Sequence, residues 1–272
     1  MILKLKNFFF KDIRVLQIVL MLSLLGIGVF IRDFSIHLEQ ILLTFISGIL
    51  TQILWIRFLN ISERGILSAI ISCTGLSLLL RSDTIWVHPL IAFIIISSKF
   101  LIRYQGKHIF NPAMFGVILG ITLFPGNWVS PGQWGTDLTI SIWLIIFGFF
   151  VASRATVSLV SISFFLAYSS FILIRVLYFG YDLKVFFHQM NSGSLLLFTF
   201  FMITDPRTLP NQEYVKIFHA VLVAFLAFVW QYYFFKQVGL IWSLFFCSLL
   251  VPIWDTLFPK TYFDWKSKPE YQ

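Results

Sequence analysis

Apolar runs separated by short polar breaks cover most of the chain, at about 15–31, 41–56, 66–80, 84–98, 110–124, 138–152, 156–178, 193–204, 214–234 and 237–254. Runs of this kind read as helices crossing a bilayer, whose ~30 Å apolar core takes about 20 helical residues. Several runs are shorter than that, which predicts tilted helices and half-helices. The first run follows Lys4, Lys6, Lys11 and Arg14 as in a signal peptide. It is long, however, and no small-residue cleavage site follows, so it reads as an uncleaved span.

The run at 193–204 differs from the others. Asn191-Ser192-Gly193-Ser194 opens it and Thr204-Asp205-Pro206 closes it. Ser192 suits an N-cap, and Pro206 disfavours helix at Asp205. A helix from Leu195 to Thr204 is about 15 Å long, half a bilayer core, and puts polar groups near membrane depth. Broken helices of this kind are tolerated where they are buried in protein or line a cavity. Asp205 sits against the macrodipole and needs a compensating partner, for which Arg207 is the nearest candidate. An Asp–Pro turn locked by that arginine and a role in cation or proton movement both fit.

A second constellation, Gly106-Lys107-His108-Ile109-Phe110-Asn111-Pro112-Ala113, opens the run at 110–124. Asn111 suits an N-cap and Pro112 the first helical position. The helix start lies near Lys99, Arg103 and Lys107, which suits either an anion or anchoring at anionic lipid. Gly116 and Gly120 form GxxxG, a close-packing motif. The uncharged turn from Pro125 to Gly135, with Trp128 and Trp134, reads as an ordered outer loop, with a lid as a second role. His88 and His188 read as hydrogen-bonded structural histidines. Phe198, Phe200 and Phe201 suit packing or flanking of an aromatic cofactor equally.

Composition settles the class. The chain is 58% hydrophobic and 12% charged, with a mean hydropathy of +0.88, half the charge of a soluble domain. It reads as an all-α integral membrane protein. The net charge of +8 reflects loops rather than a nucleic-acid surface. With the N-terminus inside, only Arg32, Arg81, Arg175, Lys184 and Lys236 of the 20 lysines and arginines fall outside. That positive-inside bias predicts about ten transmembrane helices with both termini cytoplasmic, in an inner membrane. Ten spans divide into two inverted five-helix repeats, about 14–124 and 137–257, within a single domain over 1–272, with short or discontinuous helices at the centre. Cys73 and Cys247 read as packing residues, and no residue pattern suggests a metal.

Phe110-Asn111-Pro112-Ala113, Ser192-Gly193, Thr204-Asp205-Pro206 and Val251-Pro252-Ile253-Trp254-Asp255 together resemble the NqrB/RnfD family. That resemblance implies a membrane subunit of a sodium-pumping NADH:quinone reductase or an Rnf complex. It also implies two inverted five-helix halves and other membrane subunits as partners. Members with covalent FMN carry Ser-Gly-Ala-Thr, whose threonine forms the phosphoester. Counted back from Thr204 without a gap, those positions here are Ser192, Gly193, Ser194 and Leu195. Leu195 has no hydroxyl, and Ser194 is turned about 100° away. The expectation is therefore noncovalent FMN or riboflavin, or a quinone, with Lys107, Asn111, Pro112, Ser192, Gly193, Ser194, Thr204 and Asp205 as the candidate binding residues. A small-solute transporter or channel, for a flavin-like vitamin for instance, is the alternative, and a scaffold subunit the third reading. No GxGxxG follows a strand, so the chain is not a complete dehydrogenase, and no catalytic residue is assigned.

Overall fold

The computed structural model describes residues 13–31, 35, 37–61, 65–129, 138–154 and 157–261. Lys4, Lys6, Lys11, Arg32, Arg64, Lys266, Lys268 and the turn 130–135 with Trp134, all used above, lie outside them. Each expected apolar run coincides with a helix. The first half contributes α1 (Ile13–Phe30), α2 (Leu38–Leu59), α3 (Gly65–Leu79), α4 (Val87–Leu101) and α5 (Pro112–Leu123). The second contributes α6 (Leu138–Arg154), α7 (Ser158–Tyr178), α8 (Leu183–Met190), α9 (Gly193–Leu197), α10 (Glu213–Tyr232), α11 (Gly239–Ser248) and α12 (Val251–Leu257). Helices α2, α7 and α10 are each long and apolar enough to cross a membrane, and α11 with α12, bent by 40°, forms a fourth candidate if counted as one.

Close packing follows the small residues. A Cβ on Gly116 would lie 2.9 Å from Leu76 Cδ1, and one on Gly120 would lie 2.8 Å from Leu80 Cδ1. The GxxxG of α5 thus seats that helix against α3, as expected. Helix α2 packs on α4 as α7 packs on α10, and α4 meets α5 as α10 meets α11. Helix α1 lies on α3, while α6 lies on α9 and the turn after it.

The helix after Ser192 departs from regular geometry. Helix α9 passes directly into a π-helical turn, Phe198–Met202. Its wider ring is closed by the Ile203 N–H donating to Phe198 O at 3.1 Å. The Thr199 hydroxyl donates to Leu195 O at 2.7 Å and the Thr204 hydroxyl to Phe200 O at 2.6 Å, bonds that loosen a helix ladder. Ser192 holds the N-cap position in extended backbone but makes no side-chain cap bond.

Three local features were not legible as elements. Strands β2 (Arg103–Tyr104) and β3 (Lys107–His108) form a hairpin. Its turn puts Gln105 at φ 46° and Gly106 at φ 81°, the left-handed pair that a two-residue hairpin demands. The short helix α8 occupies a stretch read as loop, and the Asp182 carboxylate caps it by accepting the Lys184 N–H at 2.8 Å. Strands β1 (Leu80–Ser82) and β4 (Asn127–Val129) pair antiparallel at the end of α3. There Arg81, counted above among loop cations, is only 1% exposed. Its guanidinium donates to Ser77 O at 3.0 Å, Leu80 O at 2.9 Å and Leu78 O at 3.3 Å, satisfying carbonyls that the helix end leaves open.

Candidate functional site

The hairpin, the start of α5 and the end of the π turn converge. Asn111 caps α5, its Oδ1 accepting the Met114 N–H at 3.2 Å, with Pro112 in the first turn. Its Nδ2 donates to Met202 O at 3.2 Å. One side chain therefore serves both the helix start and the far end of the Ser192 helix. His108 Nε2 donates to Asp205 Oδ2 at 3.3 Å, and Asp205 Oδ1 accepts the Arg207 N–H at 3.1 Å. Asn111, Pro112, Thr204 and Asp205 border one small cavity of about 90 Å³, together with His108, Arg14 and Arg207.

Burial dominates the electrostatics here. It pushes the His108 imidazole below its ordinary value, against the opposing pull of the Asp205 carboxylate. Burial acts to raise Asp205, but the His108 hydrogen bond and charge, the Arg207 N–H and Lys99 outweigh it and hold the carboxyl below its ordinary value.

Lys107 has a different employment from the one expected. Its ammonium donates to Leu209 O at 2.7 Å, Asn211 Oδ1 at 2.9 Å and Asp255 Oδ2 at 2.6 Å. Asp255 Oδ1 in turn accepts the Asn211 N–H at 2.8 Å. All three ammonium hydrogens go to protein acceptors, and the residue is not among those bordering either cavity. Desolvation lowers its pKa, with Asp255 opposing.

Ser192 and Ser194 lie elsewhere. They border a second, larger cavity of about 840 Å³, with Leu195 and Phe198 beside them. Gly193, between the two serines, is buried at the first position of α9. Across the cavity stand Tyr168, Gln189, Gln231 and Tyr232 and the first turn of α11 at Val238 and Gly239. Leu79 and Met202 border both cavities, so a thin apolar wall separates the two groups of candidate residues. His188 also borders the larger cavity. His88 is buried, with Nδ1 3.3 Å from the Thr44 hydroxyl, and Cys73 and Cys247 are buried free thiols.

Residues 129–264 match the profile of the NQR2, RnfD, RnfE family. The chain belongs to that family. It is therefore an integral membrane protein of the kind found as membrane subunits of Nqr- and Rnf-type systems. No curated protein matches it closely. The NQR2, RnfD, RnfE match spans the larger cavity's serines, the Thr204-Asp205-Pro206 turn and Asp255, and it leaves Asn111 and His108 before its start. His108 and the polar wall of the larger cavity escaped the sequence reading. The wall draws on three separate helices, α7, α8 and α10, and no local motif marks it.

Proposed function

We propose that this protein is a membrane electron-transfer subunit that holds a flavin without a covalent bond in the larger cavity. The observation that carries the reading is Leu195 on that cavity's lining, directly after Ser192 and Ser194 and in company with the polar residues Tyr168, Gln189, Gln231 and Tyr232. The volume of about 840 Å³ lies within the 300–1,000 Å³ typical of cofactor sites. Ser192 and Ser194 offer hydroxyls to a ribityl chain or phosphate, while Leu195 offers no oxygen for a phosphoester. A bound flavin would supply the redox chemistry, and the chain's part is to hold and orient it. A quinone is the other ring of suitable size. The body is one domain of ten crossings in two inverted halves, with both termini on the cytoplasmic side of an inner membrane and other membrane subunits as partners. The repeated packing of α2 on α4 and α7 on α10 supports the two halves.

A specific observation favours a second reading, transport of a small flavin-like solute. The two cavities share Leu79 and Met202 as a wall, a form that suits passage from one side to the other.

Purification in mild detergent followed by absorbance spectroscopy tests the first reading. Flavin absorbance is expected in the native protein or after adding riboflavin or FMN. After denaturation, the gel band should show no flavin fluorescence. A fluorescent band that disappears in Ser194→Ala would show that the neighbouring hydroxyl carries the cofactor. Protein that neither carries nor takes up flavin or quinone, yet admits riboflavin into proteoliposomes, would favour the transporter.

A further inference from the structure

The residues bordering the larger cavity are exposed in one place. Among the described residues, these are His188 on α8 and Gln231, Phe235, Lys236 and Gln237 at and after the end of α10. The mouth of the cavity therefore lies between α8 and the turn that leads into α11.

Two helices fix the level of that mouth. Helix α7 has 21 residues and α10 has 20, each about 30 Å long, the thickness of a bilayer's apolar core. The Arg175 guanidinium lies 4.4 Å from the centre of the Tyr232 ring, and the Phe171 and Phe228 rings lie 5.7 Å apart. Both pairs have the same separation in sequence, so the two helices run side by side in one direction and end level. Tyr178, Phe179 and Tyr181 stand at the end of α7 and Tyr233, Phe234 and Phe235 at the end of α10, all six exposed. These rings continue the exposed apolar faces of the spans, Leu166 and Ile174 on α7 and Val221 and Phe225 on α10. Amphipathic rings gather where a span leaves the apolar core. In water, a patch this wide would drive association.

Helix α8 carries the pattern of the same layer. Phe186 packs on the core and Met190 is buried. Leu183 and Phe187, one turn apart, are exposed along one side, and Lys184 and His188 along the next. An inward row, an outward apolar row and a polar row mark a helix lying in the interface plane. Exposed Lys184 and Lys236 stand beside the rings, where they complement lipid phosphates. We infer that α8 and the turn Tyr233–Gln237 are seated in the phospholipid headgroup layer, so that the larger cavity opens into that layer. The seating requires no particular occupant of the cavity and stands apart from the flavin reading.

Spin labels read the depth. The full chain, with Cys73 and Cys247 replaced by serine, is placed in nanodiscs of phosphatidylcholine and phosphatidylglycerol. Labels are attached at Phe187→Cys and Phe235→Cys, with Leu166→Cys as the hydrocarbon reference and Lys260→Cys as the aqueous one. Collisions with dissolved oxygen and with a water-soluble nickel chelate are then compared. Both test labels should read between the references, within roughly 10 Å of the phosphates. A label at either site as open to nickel as Lys260→Cys lies in water and overturns the inference. So does one as deep as Leu166→Cys, or one shielded from both reagents by a second copy of the chain. None of these readings alters flavin absorbance, so the two proposals fail separately.

Discussion

Asn111 and Met202 lie 91 residues apart in sequence, and a 3.2 Å hydrogen bond joins the amide of one to the carbonyl of the other. The same asparagine caps α5. The start of one broken helix and the end of another are thus tied through a single side chain.

Removing that side chain should be costly. Asn111→Leu loses a cap and leaves the Met202 carbonyl buried without its donor, together roughly 2–4 kcal/mol. Asn111→Ser keeps a capping hydroxyl but gives up the longer reach, so about half of the loss is expected. Thermal unfolding in detergent, followed by tryptophan fluorescence, reads both. A melting temperature for Asn111→Leu equal to the parent's would show that the tie contributes nothing.

Acid should loosen the same region. Burial keeps the folded His108 below its ordinary 6.5, so an unfolded chain binds a proton there that the folded one refuses. The contribution is full above that value and declines as pH falls beneath it. Asp205, held below its ordinary 3.8, adds a loss of the same sign as pH falls through that range. The melting temperature should therefore fall between about pH 7.5 and about pH 5.5, and His108→Gln should flatten the fall. Parallel curves for the two proteins would remove His108 from the explanation.

Sidedness has a direct assay. The Lys184 side chain, 92% exposed on α8, belongs to the outer surface in the proposed topology, and Lys260 to the inner one. With Cys73 and Cys247 replaced by serine, Lys184→Cys should react with an impermeant maleimide in intact cells. Lys260→Cys should react only after permeabilisation. The reverse pattern would invert the topology.

Gly148 supplies a packing test. A Cβ there would sit 2.5 Å from Phe200 Cβ, so Gly148→Ala must push α6 off the π turn, at a cost of about 1–3 kcal/mol. Gly26, with nothing within 4 Å of its would-be Cβ, is the control, where alanine should stabilise α1 by roughly 0.5–1 kcal/mol. Equal melting temperatures for the two variants would contradict the tight seating of Phe200.

Helices were legible because their signal is local. The apolar runs, the Asn111-Pro112 start and the Pro206 stop each act within a few residues, and each coincides with an observed boundary. GxxxG on α5 was legible for the same reason. What joins distant segments was not. Lys107 and Asp205 read as charges in search of a ligand or a neighbour, but the partners of Lys107 come from the loop near Leu209 and from Asp255, and His108 reaches Asp205 from a hairpin 97 residues earlier. The hairpin and α8 were missed because elements of two to eight residues carry too few side chains to show a period. The two candidate clusters were expected to share one centre. They border separate cavities because the π turn and Leu79 stand between them.

The bond from Lys107 to Asp255 also dictates an order of events at the ribosome. The lysine is made 148 residues before its carboxylate, a lag of roughly 7–30 s at ordinary rates of synthesis. Throughout that interval the ammonium lacks the Asp255 carboxylate that it meets in the finished fold, and water is the medium that solvates it most cheaply. The hairpin can therefore sink to its final depth only when α12 has been delivered. A nascent chain halted before Asp255 would retain a cation whose burial without its partner costs about 3–5 kcal/mol.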